Sequence, residues 1–99
     1  MADFTKAGLD KGDLQKELEH TLISARMLYR TYSVSVEELT EEELRADLTE
    51  YSDQLERIIK PLVKRAEATK NAKLVDMAYE IRYTYEKILE LIQQRLNTF

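Results

Sequence analysis

Six apolar residues, Leu44, Leu48, Tyr51, Leu55, Ile58 and Leu62, recur at intervals of four, three, four, three and four. That spacing is an a/d seam, the pattern by which one helix lies along another. A half-buried strand alternates with period two instead, so this stretch reads as a helix that needs a partner. The scarcity of turn residues extends the conclusion to the whole chain. Gly occurs twice and Pro once in 99 residues, too few for the turns of a sheet. Long helices with short connections are what remains.

Leu14, Leu18, Leu22, Ala25, Leu28, Tyr29 and Tyr32 form a second stripe at helical spacing. Asp13 stands where an N-cap is expected, and residues 1–12, which hold Gly8 and Gly12, read as a flexible N-terminal arm ahead of a single domain over 13–99. The β-favouring run Ser33-Val34-Ser35-Val36 suits a connection. Two capping-box spacings follow, Ser35 with Glu38 and Thr40 with Glu43. The acids Glu41, Glu42 and Glu43 favour the later start, because anions stabilise a helix N-terminus. Pro61 lies within the seam, has no N–H to offer the carbonyl of Arg57, and is expected to kink the helix rather than end it.

Leu74, Ala78, Ile81, Tyr85, Ile88, Ile92, Leu96 and Phe99 mark a third stripe. A continuous rod from the second helix would carry apolar residues at 72, 76, 79, 83 and 86, where Asp76 and Glu86 stand. A turn near Thr69-Lys70-Asn71 removes the conflict, with Asn71 tolerating a left-handed cap. The expected fold is all-α: an antiparallel three-helix bundle with helices near 13–32, 40–69 and 72–97. Helices two and three make a long hairpin, and helix one is the shortest. A dimeric, coiled-coil-like helical bundle is the expected assembly.

Two apolar pairs lie off the stripes. Ile23 and Met27 point nearly opposite the stripe of helix one, and Tyr79 and Tyr83 repeat the four-residue spacing on helix three. Met and Tyr are enriched at interfaces, so these four are the candidate partner-binding residues. The charges are segregated as well. Residues 37–56 hold nine acids against Arg45, a net −8, whereas residues 57–73 hold six bases against Glu67, a net +5. Arg57, Lys60, Lys64, Lys70 and Lys73 are therefore candidates for binding an anion or nucleic acid. The overall charge of −4 opposes non-specific nucleic-acid binding.

Catalytic constellations are hard to assemble. The single histidine, His20, has no strained serine turn to activate, and two glycines cannot make a phosphate loop. Without cysteine, disulfides and thiolate zinc sites are excluded. Glu17 and His20 have the E-x-x-H spacing that ferritin-like di-iron sites use, here in one copy. The run His20-Thr21-Leu22-Ile23-Ser24-Ala25 resembles the phosphoacceptor helix of histidine phosphotransfer domains, which are helical bundles with an exposed histidine. The likeness covers six residues. Ile23 and Ser24 stand where that family usually has a lysine and a glycine, which removes room for close docking of a receiver.

The expected function is a small non-enzymatic interaction module, an adaptor, regulator or assembly subunit without a cofactor, whose partner is itself or another protein. Nucleic-acid association through the basic turn is the alternative, and phosphotransfer or metal binding at His20 a further one. No apolar run of signal-peptide or membrane-spanning length interrupts the charges, so a cytoplasmic setting is expected.

Overall fold

A computed structural model describes the backbone of residues 2–99 and the side chains of residues 12–99. It is all-helical, with no strand among the described residues. Helix α1 spans Ala2–Ser35 and ends in a 3₁₀ turn, Val36–Glu38. Helix α2 (Glu41–Gln54) passes through a π turn (Leu55–Ile59) directly into α3 (Lys60–Thr69). A two-residue turn then leads to α4, Ala72–Leu96. Three helices pack together: α1, the α2–α3 rod and α4, with α4 against both of the others. No helix is long and apolar enough to cross a membrane, among the residues described.

Asp13 lies inside α1 rather than capping it, and α1 is not the shortest helix. The expected arm over 1–12 falls almost wholly on residues whose side chains lie outside the described ones. Ser35 does not cap α2; its hydroxyl donates to the carbonyl of Thr31 at 2.9 Å. Thr40 does the capping instead. Its hydroxyl accepts from the Glu43 N–H at 3.1 Å, and the Glu43 carboxylate accepts from the Thr40 N–H at 2.9 Å. This reciprocal box satisfies two of the helix's orphan donors and contributes about 1 kcal/mol.

The second stripe also changes register. Ile58, expected in the seam, is 56% exposed, whereas Ile59 is 1% exposed. The π turn is the cause, since a wider turn takes up one additional residue. The buried line therefore runs Leu55, Ile59, Leu62, Val63 and Ala66. The rod passes through Pro61 and ends at Thr69. Beyond it, Lys70 and not Asn71 takes the left-handed conformation, at φ 57°. Asn71 caps α4, its side-chain oxygen accepting from the N–H groups of Lys73 and Leu74 at 3.0 and 3.3 Å.

The core has two parts. Around the α3–α4 turn, Leu14, Leu18 and Leu22 of α1 meet Leu55, Ile59, Leu62, Val63 and Ala66 of the rod and Leu74, Ala78 and Ile81 of α4. Toward the far end, Tyr32, Val36, Leu44, Ile88, Ile92 and Leu96 close a second cluster, with Tyr29, Leu48 and Tyr51 packed against it. Phe99, assigned to the third stripe by its spacing, is instead 57% exposed and lies under the Arg95 guanidinium. It follows the end of α4, so the helical period no longer aims it inward.

Candidate interaction surface

Ile23 and Met27 lie on the side of α1 that faces away from its buried stripe. They are 55% and 60% exposed. One turn of helix separates them, so they form a continuous apolar strip. Ile58 is a further large exposed aliphatic side chain, on the rod, as Val34 is near the end of α1. Ile58 was concealed in the sequence by its fit to the seam, and only the π turn reveals it.

Tyr79 and Tyr83 are also exposed, at 40% and 61%, but they are not bare. The Tyr79 hydroxyl donates to the Glu67 carboxylate of α3 at 2.6 Å, and Arg82 stacks 4.8 Å from the Tyr79 ring centre. That hydrogen bond, aided by desolvation, raises the Tyr79 pKa above the ordinary tyrosine value. Tyr83 shares the Lys87 ammonium with Tyr29, at 5.2 and 4.3 Å from the two ring centres. Both tyrosines are thus tied to their neighbours within the chain, unlike Ile23 and Met27.

The basic segment is partly neutralised by the chain itself. Arg57 pairs with Asp53 at 2.9 Å and Lys60 with Glu56 at 2.6 Å, each one helical turn away. Such exposed pairs contribute little to stability, yet they lower the local field an incoming polyanion would meet. Lys64, Lys70 and Lys73 are exposed around the turn and have no ion-pair partner among the described residues. The five cations are therefore not one uniform positive surface.

His20 is exposed on α1. Its E-x-x-H companion, Glu17, receives two hydrogen bonds from Arg65 of α3, at 3.0 and 3.3 Å. This clamp ties α1 to α3 and commits the carboxylate that a metal site would need. Among the described residues no three His, Cys, Asp or Glu side chains converge as a metal site would require.

Arg26, Tyr29, Arg30 and Ser33 of α1 face Glu80, Thr84 and Lys87 of α4 across a cleft of about 320 Å³. Arg26 grips Glu80 with its Nε at 2.7 Å and an Nη at 2.6 Å. The four-residue spacing of Arg26 and Arg30 was visible in the sequence. That Lys87 comes to the same cleft was not.

In comparison with known proteins, no family model matches the chain, no curated protein matches its sequence and no solved structure matches its fold.

Proposed function

We propose that this chain is a non-enzymatic interaction module that assembles with a second copy of itself through Ile23, Met27 and Ile58. The observation that carries this reading is the exposure of three large aliphatic side chains, each more than half open to solvent. Two cross-helix pairs bear on how these side chains align along the bundle. Glu17 meets Arg65, and Tyr32 meets Asp47. These pairs support an antiparallel arrangement of α1 and the rod, in which Ile58 lies level with Ile23. Tyr79–Glu67 and Tyr85–Gln54 support the same arrangement for α4 and the rod.

Charge favours a second copy over a different partner. Ile58 sits at the boundary between the −8 and +5 segments of the rod. A twofold axis through the patch, across the long axis of the rod, lays each acidic α2 beside the other copy's α3, where Lys64 has no ion-pair partner among the described residues. An isologous contact of this kind is self-complementary. Three side chains make only a small apolar patch. It therefore supports a weak, reversible dimer rather than an obligate one. A reducing, cytoplasmic setting accords with a chain that carries no cysteine.

Sedimentation over a range of protein concentrations tests this. The unaltered chain is expected to approach a dimer as concentration rises, and Ile23→Ser with Ile58→Ser to remain a monomer with unchanged helicity. A monomer at millimolar concentration, or a dimer indifferent to both substitutions, refutes the reading.

A further inference from the structure

We propose that the cleft between α1 and α4 is a binding site for a phosphomonoester group, held by Arg30 and Lys87. The cleft does not include Ile23, Met27 or Ile58, and the proposal does not rest on self-association.

The charge balance within the cleft is the starting point. Arg26 is already neutralised by Glu80, at 2.6 Å. Arg30 has no carboxylate partner among the described residues, and neither has Lys87. The Lys87 ammonium is held by aromatic faces, 4.3 Å from the Tyr29 ring centre and 5.2 Å from that of Tyr83. Cation–π contacts position the ammonium without cancelling its charge. Two uncompensated cations thus line one cleft of about 320 Å³ in a chain whose net charge is −4. Like charges gathered in one cleft raise the local potential that an anion meets.

The class of ligand follows from the donors. Arg30 offers a planar fork suited to two oxygens, and Lys87 a mobile point charge. Together they match a group of charge near −2 with three acceptor oxygens, which is a phosphomonoester at neutral pH. A carboxylate carries half that charge and leaves one cation unmatched. The hydroxyls of Ser33 and Thr84 donate to the carbonyls of Arg30 and Glu80, at 2.9 and 2.8 Å. They leave anion recognition to the cations. The same chemistry is presented by a small phosphate ester and by a phosphorylated side chain.

Amide and side-chain NMR of the full chain, titrated with O-phosphoserine and with a short phosphoserine peptide, tests the site. Both probes are expected to shift resonances of residues 26–33 and 80–87. Tighter binding of the peptide points to a phosphoprotein, and equal binding to a small ester. Arg30→Gln and Lys87→Gln are each expected to weaken binding about tenfold, since each removes a charge-assisted contact. Glu80→Gln releases Arg26 into the cleft and is expected to tighten binding several-fold. Affinity is expected to fall at pH 5, where the ester is a monoanion. Shifts confined to Lys64–Lys73, unchanged binding in Arg30→Gln and Lys87→Gln, weaker binding in Glu80→Gln, or equal affinity for a glutamate peptide overturns the proposal.

Discussion

The two halves of the core are built on different terms. Around the α3–α4 turn, the packing is aliphatic, and Leu18, Ile59, Leu62 and Ile81 are almost wholly withdrawn from water. In the other half, tyrosines take much of the space and bring hydroxyls with them. Tyr32 donates to Asp47 at 2.7 Å, and its ring meets that of Tyr51 edge-on at 6.0 Å. Tyr85, packed against the aliphatic half, donates to Gln54 at 3.0 Å. The aliphatic half is held by burial, which is indifferent to pH and tolerant of direction. The tyrosine half is held partly by hydrogen bonds that must be satisfied, so it specifies its partners more strictly.

Removing volume from the aliphatic half is expected to have the largest effect. Leu18→Ala leaves a cavity where no side chain can readily follow, and the expected cost is about 3 kcal/mol in urea unfolding. A loss below about 1 kcal/mol, within the range of surface changes, means that this half repacks and that the contrast between the halves is wrong.

Tyr32→Phe is expected to cost less, about 1–2 kcal/mol, by leaving the half-buried Asp47 without its donor. It also separates the halves by their response to pH. Burial, then the bond to Asp47, raises the Tyr32 pKa well above 10, and burial likewise raises Tyr51 and Tyr85. Below about pH 9 these tyrosines are protonated in both the folded and unfolded chain, so their contribution is fully present. Above about pH 10 the unfolded chain releases protons that the folded chain keeps, and stability falls as pH rises. Melting measured from pH 7 to 11 is expected to show a plateau followed by this decline. Tyr32→Phe is expected to make the decline shallower, whereas Leu18→Ala lowers the whole curve without changing its shape.

The smallest effect is expected at the π turn that joins the halves. Deleting Arg57 removes the additional residue and restores the spacing 4-3-4-3-4-3 through Leu44, Leu48, Tyr51, Leu55, Ile59, Val63 and Ala66. A continuous α-helix can carry that line without a bulge. Helicity by circular dichroism is expected to be retained, with stability changed by less than about 1 kcal/mol. Loss of the cooperative transition shows instead that the bulge is needed to hold the two halves in register.

Much of this arrangement was legible along the chain. The stripes of α1 and α4, the Thr40–Glu43 box and the turn near residue 70 are all local matters. A helix period, a cap and a breaker act within a few residues, and the same physics operates before the helices meet. The sequence placed Ile23 and Met27 off the stripe of α1, but their exposure is decided by which helices pack against it. Ile58 was not legible. It and Ile59 are the same residue side by side, so the sequence is degenerate as to which faces inward. The helices they pack against settle the choice, by making a π turn the better fit. The ties on Tyr79 and Tyr83, and the self-neutralised Arg57 and Lys60, likewise depend on which side chain reaches which.

The chain by itself therefore determined that there are helices, where α2 and α4 begin, and which faces of α1 and α4 seek cover. Only the tertiary structure decided that the seam slips by one residue at Leu55–Ile59, that Glu17 is held by Arg65, and that Arg30 and Lys87 share a cleft. Periodicity is written over three to seven residues and can be read directly. A charge balance between residues 57 positions apart is set by how whole helices pack, and no local pattern carries it.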